Sequence, residues 1–419
     1  MLEKIFNSIK KIKKVLFPFY KDNELKFVFK KLHEGFPKDK ITARFVGGCV
    51  RKFLNNDDIN DIDIATTLSS AEIKERFINT SFKVVDTGIK HGTVTLVSKK
   101  HKLEITTLRK DVETDGRHAE VEYIDDWKLD SERRDFTINA IYLDIQGKIF
   151  DPQNGTVDLR NNNVKFIGDP QKRIEEDYLR IIRFIRFKIL YDGAIEKSTI
   201  NVIKQNLIGV KKISKERVLV ELFKILELKN FININENTHL KEIFKLIFPE
   251  FANLKRLDRL KKILNFSKIN LKLLLGILLI DKDNNHEYFS HKYNVSNEIQ
   301  EDLNLLAKNL KVLQKSNDYF TRDIERHIYL NNKSHLTNLN TLYFTLNPKY
   351  SLKHFSETLE KILKSKIHQF HIDGKYLMNK GMREGVLLGR VLRKIEDEWI
   401  NNNFKISNDR VQEIIRQNS

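Results

Sequence analysis

Four short stretches of this sequence carry residue types suited to phosphate chemistry. The first pairs GGCVRKFL at 47–54 with DIDIAT at 61–66. A Gly47-Gly48 turn lets the backbone approach a phosphate closely and offer it N–H groups. Arg51 adds a planar fork for a bidentate phosphate contact. Alternation within DIDIAT puts Asp61 and Asp63 on one face of a strand, with Ile62 and Ile64 on the other. Two carboxylates held side by side repel unless a cation lies between them. Mg²⁺ favours such oxygens and completes its shell with substrate phosphates. The competing reading is a solvated strand edge whose aspartates cap their neighbours.

The second stretch is EITTLRKDVETDGRH at 104–118. Glu104 shares a strand face with Thr106 and is either a third carboxylate beside the metal or an exposed strand residue. Asp111 to His118 is polar and contains Asp115-Gly116, which suits a mobile loop beside the site or a plain hairpin. His91, in HGTVT, is read as structural. The third stretch is RRDFTINA at 133–140. Asp135 suits a helix N-cap and Asn139 falls one turn later. Arg133 and Arg134 could grip a triphosphate or form surface ion pairs. The fourth is EEDYLRIIRFIRF at 175–187. Its Glu176, Asp177, Arg180 and Arg183 lie opposite an isoleucine face. They are either i,i+3 and i,i+4 pairs in water or a base-reading set, with Asp accepting from an exocyclic amine and Arg donating to ring acceptors.

Two kinds of element must position these groups. Up to about residue 165, short β-type runs at 43–46, 61–65, 83–85, 93–97, 102–108 and 140–145 alternate with turns and helical patterns such as 71–77, which predicts a mixed α/β domain. Beyond about residue 170 the pattern is helical almost throughout. Ile174, Tyr178, Ile181, Ile185 and Ile189 predict one apolar helix face, and further amphipathic runs cover 218–228, 239–247, 257–264 and 298–313. No fixed-period repeat and no long linker interrupts them.

Composition narrows the class. The 419 residues carry 75 Lys+Arg against 57 Asp+Glu, a formal charge of +18 that asks for an anionic partner, nucleic acid first and an anionic membrane surface second. Lys-, Ile- and Asn-rich codon usage would give the same bias. With 40% hydrophobic residues a folded core is expected. A single cysteine, Cys49, excludes a disulfide framework and a cysteine-rich zinc site. The longest apolar stretch, 273–280, is too short to span a bilayer. The basic, amphipathic first 20 residues read as a surface helix rather than a secretory signal.

In this order, the four stretches resemble the class II tRNA nucleotidyltransferases, the CCA-adding enzymes and their bacterial poly(A) polymerase relatives. GG-V-R followed by DIDIAT resembles the family's metal motif. RRDFTINA resembles its ribose- and triphosphate-binding motif, and DPQNGTVDL at 151–159 the head–neck connection. EDYLRIIRFIRF resembles the template helix, and SKERVLVEL at 214–222 the motif that steadies the neck. The match is ordered over about residues 43–228, and 373–399 still resembles the tail of the bacterial and mitochondrial branch.

The resemblance implies an α+β fold: a polymerase-β-like nucleotidyltransferase head at 1–164, then an all-α neck at 165–232, body at 233–340 and tail at 341–419. It implies that Asp61 and Asp63 hold Mg²⁺, with Glu104 near them as a catalytic candidate. Asp177 and Arg180 would read the base. Gly47, Gly48, Arg51, Arg134, Asp135 and Asn139 would hold the nucleotide, helped by Arg183 and Arg186, and Arg117 would fall in the flexible loop. The implied reaction adds CCA to tRNA from CTP and ATP, in the cytoplasm. CC-only, A-only and poly(A) synthesis are its competitors within the family. A catalytically silent RNA-binding protein and a membrane-surface role are competitors outside it. One departure stands out: Lys52 occupies the place of the family's usual Asp after Arg51. No His-Asp dipeptide occurs, so an appended phosphohydrolase domain is not indicated.

Overall fold

The computed structural model describes residues 22–59, 61–88, 92–114, 119–265, 269–316 and 318–418. The basic segment 1–20, His91 and Arg117 lie outside them. The chain divides into two compact units, Met1–Phe248 and Pro249–Ser419.

Among the described residues the first unit holds nine strands: β1 (Ala43–Val46), β2 (Ile62–Thr66), β3 (Lys83–Gly88), β4 (Thr93–Val97), β5 (Lys102–Thr107), β6 (Arg109–Thr114), β7 (Ala119–Tyr123), β8 (Tyr142–Leu143) and β9 (Ile149–Phe150). Seven form one sheet in the order β3-β4-β5-β2-β1-β8-β9, and β6 and β7 make a separate hairpin. Among the described strands only β2 and β5 run parallel, with Asp63 opposite Glu104. The sheet is therefore mixed, as expected. Its apolar face is closed by α1 (Asn23–His33), α2 (Gly48–Asn55) and α3 (Ser70–Phe77), which bury Leu25, Val28, Cys49, Val50, Ile73 and Phe77. A capping box fixes the start of α3, with Ser69 and Glu72 satisfying each other's backbone N–H groups.

The rest of the unit is helical: α4 (Trp127–Glu132), α5 (Gly155–Arg160), α6 (Pro170–Glu176), α7 (Leu179–Tyr191), α8 (Lys197–Asn206), α9 (Lys215–Leu226) and α10 (Thr238–Ile247). Helix α7 packs along α9. Phe136 joins the sheet side to α7 through rings 4.9 Å from Phe166 and 5.5 Å from Phe187.

Three sequence expectations change here. The apolar repeat at 174–189 is not one helix. Asp177 is extended (φ −154°, ψ 104°) and separates α6 from α7. Its carboxylate accepts from Leu179 N at 3.1 Å, a local bond that competes with helix continuation. The expected strand at 140–145 shrinks to Tyr142–Leu143, because Thr137–Asn139 forms a 3₁₀ turn and the Asp144 carboxylate closes the next turn onto Gln146 and Lys148 N. The run at 257–264 is α-helical only over Arg256–Leu260 and then tightens to 3₁₀.

The regular elements among the described residues of the second unit are helices: α11 (Arg256–Leu260), α12 (Leu271–Leu279), α13 (Asn285–Tyr293), α14 (Asn297–Leu313), α15 (Ile324–Leu346), α16 (Leu352–Lys364), α17 (Gly374–Asn379), α18 (Val386–Asn401) and α19 (Asn408–Arg416). Helix α12 contains most of the longest apolar stretch and is buried from Leu273 to Leu279, as a helix apolar all round must be. Among the described residues no helix is long and apolar enough to cross a membrane.

Candidate active site

The site grows from the turn that leaves β1. Gly47 has φ +74°, and a Cβ there would stand 3.3 Å from Asp63 Oδ2. Glycine thus supplies both the left-handed turn and the room for a carboxylate beside it. Beneath the turn, the Cys49 thiol donates to Val46 O at 3.2 Å. Burial pushes that thiol up to about 12, so it stays protonated and serves as packing.

Asp63 lies on the central strand β2 and Asp61 just precedes it. Burial, then the neighbouring charges of Glu104 and Asp61, raise the Asp63 carboxyl; Arg134 and Arg51 pull it the other way. Neither aspartate side chain has a hydrogen bond or ion pair among the described residues. This is what a divalent cation would relieve. No cluster of three or more metal-ligating side chains occurs among the described residues. A two-carboxylate set suits Mg²⁺, which leaves most of its shell to water and phosphate. Glu104 is half-exposed, pairs with Lys102 Nζ at 3.5 Å and does not line the cleft. Its effect on Asp63 is electrostatic, across the ladder.

A cleft of about 840 Å³ gathers the sequence candidates. Gly47, Gly48, Arg51, Asp61 and Asp63 come from the β1–β2 region. Arg134, Asp135 and Asn139 come from the turn after α4. Asp177, Arg180, Arg183 and Arg186 come from α7 and the break before it. Nine cationic side chains line it against five carboxylates, which selects for an anion.

Hydrogen bonds tie the three groups together. Arg51 donates through Nη1 to Asn139 Oδ1, and through Nε to Tyr191 Oη at 3.2 Å. Asn139 donates to Asp135 Oδ1 at 2.6 Å. The other Asp135 oxygen receives Arg183 Nε at 2.7 Å and Nη2 at 2.6 Å. Burial would raise Asp135, but Arg183 and Asn139 hold it below the ordinary carboxylate range. Asp135 is thus not the expected helix cap: it precedes a single 3₁₀ turn, bonds Phe136 N at 2.9 Å and spends its remaining capacity on α7.

On the helical wall, Asp177 Oδ2 accepts from Arg217 Nη2 at 2.8 Å. Arg180 donates through Nη1 to Glu176 and to Arg173 O; its Nε and Nη2 have no partner among the described residues. The Arg186 guanidinium lies 4.4 Å over the Phe187 ring and 2.8 Å from buried Glu221.

Several supporting residues escape motif reasoning. Arg173 donates to the carbonyls of both Arg133 and Arg134. Arg217 and Glu221 anchor Asp177 and Arg186. Asp130, fully buried, anchors Arg133 and Arg134; its i,i+3 and i,i+4 spacing to them was the available signal.

Two aspartates, one on central strand β2 and one just before it, facing arginines across a cleft of about 840 Å³, make a nucleotidyltransferase type of site. Residues 43–165 match the poly A polymerase head domain, and 194–255 match the probable RNA and SrmB-binding site of polymerase A. The mitochondrial CCA tRNA nucleotidyltransferase 1 of Mus musculus is 32% identical over 404 residues, covering 93% of this chain and 89% of that one. The CCA-adding enzyme of Lactobacillus helveticus is 31% identical over 386 residues, covering 89% and 92%. The solved Bacillus stearothermophilus CCA-adding enzyme in complex with CTP shares the fold, with TM-score 0.66 at 22% identity over 96% of this chain and 97% of that one. The chain belongs to the CCA-adding tRNA nucleotidyltransferase family.

Proposed function

We propose that this chain adds C, C and A in turn to the 3′ end of tRNA, using CTP and ATP and releasing pyrophosphate. The observation that carries the reading is the pair Asp61 and Asp63, without a protein counter-ion among the described residues, in one cleft with the guanidinium groups of both walls. Asp61 and Asp63 hold Mg²⁺, which when bound lowers the pKa of the attacking hydroxyl and neutralises charge on the phosphates. Glu104 keeps the local field negative enough to favour that cation.

The chain's own residues do the remaining work. The Gly47-Gly48 turn admits the phosphates. The Nη1 groups of Arg133 and Arg134, without a hydrogen-bond partner among the described residues, bind triphosphate oxygens. Asn139, held by Asp135 and Arg51, faces the ribose. Asp177, fixed by Arg217 as an acceptor-only carboxylate, accepts from the amine of cytosine or adenine, and Arg180 donates through Nε or Nη2 to the adjacent ring acceptor. Uracil and guanine present a carbonyl where the amine belongs, and both acceptors would then face each other. The division into head 1–164, neck 165–232, body 233–340 and tail 341–419, with the basic helical parts on the tRNA, belongs to the same proposal. So does action in the cytoplasm. Phosphate-dominated tRNA contact makes binding salt-sensitive.

The test is incorporation by purified protein with Mg²⁺ on tRNA ending before CCA, after C and after CC. Each NTP is supplied alone, then CTP with ATP. Three additions that stop, and that vanish in Asp63→Ala, are expected. A long A tail would make it a poly(A) polymerase. A added only after CC, or CC without A, would make it one half of a split pair. Binding of tRNA without incorporation would leave a silent RNA-binding protein.

A further inference from the structure

Asp130, on α4, sits under the cleft and not in it. It has no exposed surface. Its Oδ1 receives Arg133 Nε at 2.9 Å and Nη2 at 2.7 Å. Its Oδ2 receives Arg134 Nη2 at 2.9 Å and the Tyr142 hydroxyl at 2.7 Å. Tyr142 in turn accepts from Arg134 Nε at 3.0 Å. One carboxylate therefore fixes two adjacent guanidinium groups and ties both to strand β8. The Nη1 groups of Arg133 and Arg134 carry no hydrogen bond among the described residues, and both arginines line the cleft.

The same carboxylate reaches a third element. Arg109 N approaches Asp130 Oδ1 at 3.4 Å, and Arg133 Nε donates to Arg109 O at 3.0 Å. Arg109 is the first residue of β6, where the β6–β7 hairpin leaves the sheet region. The base of that hairpin and the two arginines thus share one buried anchor.

We infer that Asp130 is a positioning residue for the triphosphate: it orients the free amino groups of Arg133 and Arg134 toward the phosphates and locks the root of the β6–β7 hairpin to the same frame. The inference rests on the nucleotide-binding part of the proposed function and not on the tRNA part. A fully buried carboxylate facing two arginines could merely fasten the core. The difference lies in what its loss does to ligands. A core fastener affects folding. A phosphate-positioning residue weakens every ligand with the same phosphate tail equally, whatever its base.

The experiment measures calorimetric Kd values for CTP, ATP and inorganic pyrophosphate on the full chain, for wild type, Asp130→Asn and Asp130→Glu. The amide would turn an N–H₂ toward one guanidinium. All three Kd values are expected to rise together by about 10- to 100-fold, the loss of one charge-assisted hydrogen bond to phosphate. Asp130→Glu recovers part of the loss. Tyr142→Phe, which removes one bond to Asp130, gives a smaller rise of the same pattern and decides the matter if Asp130→Asn does not fold. Wild-type Kd values for all three ligands in a folded variant would overturn the inference, as would a loss confined to one nucleotide. The same wild-type preparation is assayed for incorporation. Absent incorporation with an intact pyrophosphate effect would remove the tRNA reading and leave this one standing.

Discussion

Replacing Asp135 with Asn keeps the side-chain shape and removes one charge at the junction of the sheet side and α7. The carboxylate accepts from Phe136 N and Asn139 through one oxygen and from two Arg183 N–H groups through the other. In Asp135→Asn one of those oxygens becomes an N–H₂ facing a donor. Two charge-assisted bonds are worth about 1.5–3 kcal/mol each. Arg183 keeps 34% of its side chain in solvent, so water recovers part of the loss. The net destabilisation is about 2–3 kcal/mol. At about 2–4 °C per kcal/mol for a unit of this size, the transition of the first unit falls by about 4–12 °C in scanning calorimetry. Incorporation falls by about tenfold or more, because Asn139 and through it Arg51 lose their reference point. The effect depends on pH with a definite sign. The folded carboxyl lies below the unfolded value of about 3.9, so its contribution is complete above that value and disappears as pH falls through the folded pKa. The gap between wild type and variant must therefore close below about pH 4. A drop under 2 °C at pH 7 with activity intact, or a gap that widens in acid, would refute the reasoning.

Asp63→Asn should lower incorporation by about a thousandfold or more, the several kcal/mol that a metal site supplies, yet in EDTA stabilise the first unit by about 1 kcal/mol, because it removes a buried charge and, with it, the repulsion from Glu104. Gly47→Ala forces a Cβ into a left-handed turn 3.3 Å from Asp63 Oδ2; about 1–2 kcal/mol of strain should appear as a raised KM for both CTP and ATP. Asp177→Ala should lower the kcat/KM preference for CTP over UTP by about 5- to 150-fold, with pyrophosphate binding unchanged.

Local chemistry was legible from the sequence to the extent that it was contiguous. The Gly-Gly turn, the alternation of Asp61 and Asp63, and the run of arginines on one side of 180–186 are one-dimensional patterns that survive folding. Most expected strands lie within one or two residues of the observed ones, since their β-branched runs end at turn residues. The failures have a common cause. The break at Asp177 follows from the bond of Leu179 N to its carboxylate, whose other oxygen Arg217 takes from forty residues away, and apolar periodicity registers neither contact. The shortened β8 follows from side-chain bonds of Asp144 to its own turn. Glu104 shares a ladder rung with Asp63 but stays outside the cleft, because being a neighbour across a strand pair does not fix where a long side chain points. Asp130 escaped because its i,i+3 and i,i+4 spacing to Arg133 and Arg134 looks the same whether the pairs are buried or solvated.

The residues that line the cleft all fall between Gly47 and Leu228, and the first compact unit ends at Phe248. The ribosome therefore finishes every residue that lines the cleft before it begins the second unit. At about 5–20 residues per second, the 171 residues of the second unit take about 9–34 s to synthesise. During that interval a nucleotide can occupy the cleft and stabilise the folded first unit by RT ln(1 + [L]/Kd). A nucleotide bound in the cleft would then act as a folding ligand for the nascent chain, well before the second unit exists.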